Sequence, residues 1–231
     1  MDKEIFKKEL EKLDINLTEL QEKQLEKYYN LLIETNKTTN LTRITDKKEV
    51  YLKHFYDSLT ITKVIDLKKE QTLIDIGTGA GFPGLVLKIV FPNLNVTLLD
   101  SLGKRTKFLE KVIKELNLKN IKVINSRIED YKEEKFDIVT SRAVAKTNIL
   151  VELAIDLIKI NGYYIFLKSE IEEELKESEK AFSELKLKLS KKEEFILPIE
   201  NSKRTIIKIK KTDKHNPKYP RNFTKIKKSP L

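Results

Sequence analysis

The sequence predicts an α/β protein with a doubly wound, mostly parallel sheet, an antiparallel edge hairpin and an N-terminal helical extension. Short apolar segments alternate with helical segments through the middle of the chain, which is typical of parallel strands covered on both faces. A glycine-rich segment follows the first of these strands, and two successive strand patterns near the end predict the hairpin. We expect three parts: an extension over 1–65, the α/β unit over 66–211 and a basic tail over 212–231.

The N-terminal part is predicted to be helical. Apolar residues recur at helical spacing over 2–12 and 18–35, and Thr18 is a residue type that caps helix N-termini. A polar, turn-rich stretch over 36–45 then precedes a third helical pattern over 50–65.

The α/β unit contains five short apolar segments with the character of buried parallel strands. A charged helix over 170–184 and two further strands, around 186–195 and 205–210, follow them. The five strands are predicted at 72–76, 96–99, 122–124, 136–140 and 163–167, and the helices between them at 85–90, 104–116, 127–131 and 148–158.

Composition narrows the function classes. The chain has 231 residues and 39% hydrophobic content, enough for one domain with its own core, and we expect a monomer. It has no cysteine, which excludes disulfides, thiolate metal sites and cysteine nucleophiles, and so disfavours methylation at carbon five of a pyrimidine. Neither His54 nor His215 has a second imidazole at ligand spacing, so no metal site is expected. No apolar stretch is long enough for a membrane span and no signal sequence is evident, which predicts a cytoplasmic protein.

The positive charge is concentrated at the end of the chain. From Lys203 onward there are eleven Lys and Arg residues against one acid, which accounts for the whole net charge of +10. A neutral body with a basic end is typical of proteins that bind nucleic-acid phosphates, although simple solubility is the alternative. Tyr219, Arg221 and Phe223 interleave stacking groups with this charge, so we expect RNA contacts from a tail whose last twenty residues are irregular.

The glycine-rich segment predicts a nucleoside-cofactor site. It reads Gly77-x-Gly79-x-Gly81-Phe82-Pro83-Gly84, directly after a buried strand, and the next strand ends on Asp100. Glycines let the backbone turn sharply beside a ligand, and a carboxylate at the next strand tip is placed to bind a ribose. Helix capping beside Ser101 is the alternative role for Asp100.

The spacing favours S-adenosylmethionine over a dinucleotide. A dinucleotide loop needs backbone amides for a diphosphate, whereas Phe82 replaces the third glycine here and Pro83 has no amide. S-adenosylmethionine carries no phosphate and needs fewer free amides. Dinucleotide binding or a merely tight turn remain the alternatives.

Other strand tips supply further candidates. Asp75 either receives loop amides or approaches the methionine ammonium of the cofactor through water. Ile128 and Glu129 follow the third strand, where an adenine is expected, unless they are only exposed surface. Arg142, after the fourth strand, is a candidate for gripping a guanine edge, a phosphate or the cofactor, or for pairing with Glu129. Lys168, after the fifth strand, is a second cation at the same rim.

The reaction centre lacks the acceptor motif of enzymes that methylate exocyclic amines. Ser141-Arg142-Ala143 stands where such enzymes often have Asn or Asp followed by two prolines and an aromatic residue. A ring nitrogen such as guanine N7 has a free lone pair and needs no proton acceptor, so no catalytic residue is assigned.

The motifs IDIGTGAGFPGLVL, LLDSLGKRTKFLEKV, TSRAVA, TNLTRI, HFYDSL and KYPR resemble those of the RsmG (GidB) family, the bacterial small-subunit ribosomal RNA guanine-N7 methyltransferases. The resemblance runs from about residue 36 to the end. It implies a Rossmann-like class I methyltransferase fold, S-adenosylmethionine as donor, and one guanine in the decoding-region loop of 16S rRNA, free or in a small-subunit particle, as substrate. The implied cofactor contacts are Gly77, Gly79, Phe82, Asp100, Ile128, Glu129 and Arg142, and the implied RNA contacts are Arg142, Lys168, Asn40, Arg43 and Arg221.

The chain departs from the family pattern at Asn222–Lys225, where relatives have a Gly-Thr-Pro stretch, and at Ser169, where glycine is common. Two other functions stay open. One is a small-molecule methyltransferase, and the other is a non-catalytic ribosome assembly factor on the same fold.

Overall fold

The structure is a computed structural model that describes residues 1–169 and 171–231, and its centre is one mixed β-sheet. Strands β1 to β5 run parallel to one another, whereas the last two strands form an antiparallel hairpin at one edge. The seven strands of the described residues are β1 (Thr72–Ile76), β2 (Asn95–Asp100), β3 (Ile121–Asn125), β4 (Phe136–Arg142), β5 (Ile158–Lys168), β6 (Leu187–Ile196) and β7 (Lys203–Lys211). Their order across the sheet is β3-β2-β1-β4-β5-β7-β6.

Helices cover both faces of this sheet, and the predicted fold class is confirmed.

The helical stretch predicted over 50–65 consists of several short elements, which include a π-helical turn over Tyr51–Tyr56 and a 3-10 turn over Thr60–Lys63. The α-helices of the described residues are α1 (Lys3–Glu11), α2 (Glu19–Asn36), α3 (Lys47–Val50), α4 (Asp57–Leu59), α5 (Gly84–Val90), α6 (Gly103–Glu115), α7 (Thr147–Leu153), α8 (Glu172–Glu177), α9 (Glu179–Leu185) and α10 (Phe223–Lys228). None of these helices has the length and apolar character needed to cross a membrane.

Two of the predicted helices differ in the structure. The helix predicted over 148–158 ends at Leu153, because the chain must turn before Ile158 pairs with Phe136 in the sheet. In place of the helix predicted over 170–184 the structure has two helices, which are separated at Ser178. Ser178 is fully buried, and its hydroxyl donates to the Glu174 carbonyl at 2.6 Å. Residue 170, the first residue of the predicted helix, lies outside the described residues.

The prediction of an irregular tail is wrong over α10. Asn222 caps this helix, since its side chain accepts a hydrogen bond from the Lys225 amide at 2.9 Å. Ile226 in the helix is fully buried, so the tail packs against the body.

The N-terminal helices support the glycine-rich loop. The predicted cap is confirmed, because Thr18 and Gln21 form a reciprocal capping box at the start of α2. In the same helix Tyr28 is fully buried, its hydroxyl donates to the Ala80 carbonyl, and its ring stacks on Phe82 at 5.6 Å. The helical extension and the sheet thus share one hydrophobic cluster.

The sheet topology determines where a ligand can bind. After β1 the chain builds β2 and β3 on one side, then crosses to β4 and β5 on the other. In such a sheet the crevice lies beyond the carboxyl ends of the two strands at which the direction of winding reverses, here β1 and β4. The glycine-rich loop follows β1 and therefore borders this crevice.

Gly84 is expected to tolerate no larger side chain, because α5 packs closely on the sheet. A Cβ atom there would lie 2.6 Å from Leu98 Cδ2 and 2.7 Å from Asp75 Cβ, so Gly84→Ala should lower the free energy of unfolding by about 1–3 kcal/mol. Gly103→Ala is the matched control, since its nearest neighbour is 3.8 Å away. Urea unfolding of both variants checks this; equal stabilities would show that α5 shifts freely.

Candidate cofactor pocket

A cavity of about 710 Å³ lies beyond the carboxyl ends of β1 to β4. Loops from both halves of the sheet line it, together with residues of the N-terminal extension and the tail. All the cofactor contacts that the family resemblance implied are among its lining residues, namely Gly77, Gly79, Phe82, Asp100, Ile128, Glu129 and Arg142. The structure brings these residues together, while their contacts with a cofactor remain a prediction.

The glycine-rich loop passes close to the opposite wall of the cavity. Gly77 has a φ of +66°, which disfavours any residue with a side chain, and a Cβ atom there would lie 2.6 Å from Val144 Cγ2. Val144 belongs to the segment that follows β4. The positive φ therefore favours glycine at this position, and a larger residue would displace the Val144 side chain.

The loop uses nearly all of its own amides, so few remain for a ligand. Pro83 has no amide, and Ala80 alone among the other residues of this loop has no hydrogen-bond acceptor for its amide in the described part of the chain. Such a loop offers a diphosphate little to bind. The acceptors are Leu99 O for Gly77 and Thr78, Asp100 Oδ2 for Gly79, Thr78 O for Gly81 and Phe82, and Asp75 Oδ2 for Gly84.

Asp100 holds the loop and the start of α6. Its Oδ2 accepts from the Gly79 amide at 2.9 Å and from Arg105 Nη1 at 3.3 Å, and its Oδ1 accepts from the Leu102 amide at 2.9 Å. The Leu102 bond precedes α6, whose N-cap residue Leu102 has no side-chain cap, so the capping alternative for Asp100 is not seen, and a ribose contact remains a prediction. Leu102 and Arg105 also line the cavity, and sequence reasoning missed both.

Ile128 and Glu129 lie in a 3-10 turn that follows β3. Ile128 packs against the hydrophobic cluster on one face of the sheet, and both residues face the cavity. Glu129 lies 3.7 Å from Arg127 Nη1. The alternative pairing of Glu129 with Arg142 is therefore not seen.

Arg142 is held by the π-helical turn instead. Its Nη1 donates to the Lys53 carbonyl at 2.7 Å and to Asp57 Oδ2 at 3.1 Å, and its Nη2 donates to His54 Nδ1 at 3.0 Å. The guanidinium also lies over the Phe82 ring, 5.2 Å from its centroid. Most of its hydrogen-bonding capacity therefore serves to build the cavity wall.

His54 forms part of the same wall. Its ring stacks on Phe82 with centroids 4.3 Å apart, and its Nε2 lies 2.9 Å from Thr42 Oγ1. A guanidinium has no acceptor, so Nδ1 accepts the bond from Arg142 and Nε2 carries the hydrogen. Burial, reinforced by the charge of Arg142, lowers the pKa of His54 to about 3, and the imidazole is neutral near pH 7.

Asp57 is a site residue that the sequence analysis missed. Its side chain is 5% exposed and binds two arginines, Arg142 through Oδ2 and Arg204 through Oδ1 at 3.2 Å. It thereby ties the helical extension to the ends of β4 and β7. The order of residues along the chain gives no signal for this cluster, because its members come from three distant segments.

Besides Arg142, two more of the predicted RNA contacts are engaged within the protein. Lys168 Nζ donates to Glu174 Oε1 at 2.6 Å and to the Ala145 carbonyl at 2.8 Å, and its side chain is 12% exposed. Arg221 forms a two-bonded ion pair with Glu152, whose side chain is fully buried. Both cations are therefore engaged within the protein, Arg221 by a buried carboxylate that needs a partner, and their RNA contacts stay a prediction.

Asn40 and Arg43 remain available at the surface. Both are exposed, and the residues between them, Leu41 and Thr42, line the cavity. The tail reaches the same cavity through Phe223 and Lys227, which sequence reasoning did not place in the cofactor pocket.

Asp75 is fully buried behind the loop. Its Oδ2 accepts from Thr78 Oγ1 at 2.7 Å and from the Gly84 amide at 2.8 Å, while Oδ1 has no partner within the described residues. The structure thus shows the loop-amide role that was one of its two expected alternatives. Burial raises the pKa of Asp75 to about 7, with the hydrogen bonds from Thr78 and Gly84 opposing the shift.

Asp75→Asn is expected to change the pH dependence of stability. The pKa of Asp75 rises from 3.8 unfolded to about 7 folded, so the wild type loses stability as pH rises through this window. The asparagine in the variant does not titrate. The free energy of unfolding of the variant, relative to that of the wild type, should therefore rise with pH by at most about 1.4 kcal/mol per pH unit. Urea unfolding of both proteins at about pH 5 and about pH 8 measures this, and the His54 contribution cancels in the comparison. A pH-independent difference would contradict the raised pKa.

Solved structures with a similar fold include a SAM-dependent methyltransferase and a protein with AdoMet bound. A SAM-dependent methyltransferase from Aquifex aeolicus has a TM-score of 0.55 at 19% identity, covering 71% of this chain and 93% of that one. TYW2 from M. jannaschii, solved in complex with AdoMet, has a TM-score of 0.52 at 17% identity, covering 62% and 70%. At such identities the likeness shows the fold alone.

Sequence relatives are much closer. Ribosomal RNA small subunit methyltransferase G of Lactobacillus johnsonii is 46% identical over 239 aligned positions that cover 100% of both chains. The protein of the same name from Bacillus subtilis is 45% identical over 237 positions, covering 100% of this chain and 99% of the relative. Residues 21–206 match the GidB family, described as rRNA small subunit methyltransferase G. By its fold, its cavity and this match, the chain belongs to the GidB family of rRNA small subunit methyltransferases.

Proposed function

We propose that this protein transfers a methyl group from S-adenosylmethionine to N7 of a guanine in the decoding-region loop of 16S rRNA. The observation that carries the proposal is the hydrogen bonding of the glycine-rich loop. Its amides are engaged within the protein, which favours a nucleoside ligand without phosphates over a dinucleotide. Family membership adds the small-subunit rRNA as the class of substrate.

The lining residues fit S-adenosylmethionine. Asp100 lies at the tip of β2, where a carboxylate binds a ribose in folds of this class. Leu102 and Ile128 supply apolar surface for an adenine, and Glu129 lies beside them as an acceptor for its amino group. Asp75 Oδ1 has no partner within the described residues, and because the pKa of Asp75 is about 7 the side chain is partly ionised at neutral pH, which favours a positively charged ligand on the other side of the loop.

The residues at the reaction end fit a target that needs no deprotonation. The bound cofactor supplies a methyl group on a sulfonium and leaves as a neutral thioether, while the attacking ring nitrogen takes up the positive charge. His54 is a poor base because its pKa is about 3 and its Nδ1 is engaged by Arg142. The chain therefore acts by orienting the two substrates and excluding water, with Phe82, His54 and Arg142 forming one rigid wall.

The test is mass mapping of 16S rRNA from cells with and without the gene. We expect one guanine in the decoding-region loop to lose its N7 methyl group, and the purified protein with S-adenosylmethionine to restore it on naked RNA or on the small-subunit particle. Unchanged methylation at every guanine would reject the proposal. Cofactor binding without RNA methylation would instead favour a small-molecule methyltransferase, and no cofactor binding would favour an assembly factor.

We further propose a cytoplasmic monomer with three parts, over 1–65, 66–211 and 212–231. RNA is proposed to approach the exposed residues Asn40 and Arg43 beside the mouth of the cavity. Phosphate contacts release counterions, so RNA affinity should fall steeply with salt concentration.

A further inference from the structure

We propose that the C-terminal tail is a clasp that completes the cofactor pocket, with Phe223 as an apolar wall for the nucleoside of the methyl donor. This inference rests on the proposed function, because it takes S-adenosylmethionine as the ligand. The family match ends at residue 206, so the family model assigns no role to these residues. The clasp is defined here as residues 214–231.

A two-bonded ion pair fastens the clasp to the body. Arg221 Nε donates to Glu152 Oε1 and Arg221 Nη2 to Glu152 Oε2, both at 2.6 Å, and the Arg221 amide adds a third bond at 3.1 Å. The Glu152 side chain is fully buried, whereas that of Arg221 is 15% exposed. A buried carboxylate is tolerated only with such a partner, so the pair fixes where the tail crosses α7.

The clasp is also held on both sides of this ion pair. Before it, the Tyr219 hydroxyl donates to Glu184 Oε2 at 2.9 Å. After it, Ile226 and Leu231 are buried, and the Leu231 carbonyl accepts from Asn148 Nδ2 at 3.2 Å. The segment from Tyr219 to Leu231 is thus attached at several points, which is unlike a charged tail that only serves solubility.

Helix α7 joins the clasp to the pocket. Asn148 and Glu152 are four residues apart and contact the clasp, while Ile149 and Leu153 form the neighbouring stripe of the same helix and line the cavity. Phe223 follows Arg221 by two residues and lines the cavity as well. The clasp therefore extends the apolar surface that α7 presents to the pocket.

Phe223 and Lys227 lie on one face of α10, since they are four residues apart, and both reach the cavity. The Phe223 side chain is half-buried, so it has apolar surface that a purine can cover. Lys227 is exposed and places a cation at the rim. An aromatic residue at this position reduces the exposure of a bound nucleoside to water.

Calorimetric titration of the full-length protein with S-adenosylhomocysteine tests the wall. Phe223→Ala should weaken binding roughly tenfold, as expected for the loss of an aromatic contact. Lys225→Ala is the matched control, because Lys225 is on the same helix and exposed but is not among the described residues that line the cavity. Its affinity should equal that of the wild type. If Phe223→Ala also binds as the wild type does, the wall is refuted.

A second experiment tests the clasp. The double variant Arg221→Ala with Glu152→Ala removes the ion pair that fixes the tail on α7 without leaving a lone buried carboxylate. We expect it to weaken binding about as much as Phe223→Ala does, and adding Phe223→Ala to it should have little further effect. Fully additive losses would show that the ion pair does not position Phe223. If circular dichroism shows that the double variant does not fold, the comparison of Phe223→Ala with Lys225→Ala still tests whether Phe223 contacts the bound ligand.

The outcomes separate this inference from the proposed function. A wild-type protein that does not bind S-adenosylhomocysteine refutes the proposed function and the clasp together. A wild type that binds it, with Phe223→Ala unaffected, refutes only the clasp.

Discussion

Arg142→Ala is expected to destabilise the protein by about 3 kcal/mol, because it breaks a largely buried ion pair. Asp57 would keep only Arg204, while the Lys53 carbonyl and His54 Nδ1 would lose their donor. For a chain of this length the loss corresponds to a fall of roughly 10 °C in Tm. Differential scanning calorimetry or urea unfolding measures it directly.

The same substitution should weaken binding of S-adenosylhomocysteine, because Arg142 and His54 both pack on Phe82 in the cavity wall.

Arg127→Ala is the matched control for the loss of stability. Arg127 also lines the cavity, but its side chain is 65% exposed and its Nη1 lies 3.7 Å from Glu129 Oε1. The free energy of unfolding of this variant should stay within about 0.5 kcal/mol of the wild-type value. A similar Tm for both variants would show that the Asp57 cluster contributes little.

Asp100→Ala is expected to weaken cofactor binding by about 1–3 kcal/mol, which is roughly fivefold to 150-fold in Kd. Its carboxylate accepts from the Gly79 and Leu102 amides, so its removal frees the loop on one side of the cavity and the start of α6 on the other. Any direct bond to the ribose is lost as well. Titration with S-adenosylhomocysteine measures the change.

Asp130→Ala provides the control for this prediction. Asp130 is an exposed carboxylate in the turn after β3 and is not among the described residues that line the cavity. Its variant should bind the ligand as the wild type does. If Asp100→Ala shows the same unchanged affinity, Asp100 has no part in the site, and the nucleoside orientation proposed here is wrong.

Prediction from sequence succeeded where the signal is local. The strands, the helix cap at Thr18 and the glycine-rich loop depend on periodicity and on residue types a few positions apart. Phe82 and Pro83 also predict a loop with few free amides, which its hydrogen bonds confirm. The helix ends were less accurate, because sheet pairing at Ile158 and burial of Ser178 override local preference.

The sequence did not indicate which charged residues pair inside the protein. Lys168 binds Glu174 and Arg221 binds Glu152, and the predicted RNA contacts of both cations stay a prediction. A charged residue has the same appearance in a sequence whether it is hydrated or paired inside the protein, so its environment must be known before its role is assigned.

The sequence by itself determined the alternation of strands and helices, the position of the ligand crevice and a loop poor in free amides, since these follow from local periodicity and the chemistry of glycine and proline. Only the tertiary structure decided which charged residues form ion pairs inside the protein. The cluster of Asp57 with Arg142 and Arg204, and the return of Phe223 to the pocket, bring together residues far apart in the chain. Such contacts arise from packing of the whole molecule, for which no short stretch of sequence carries a signal.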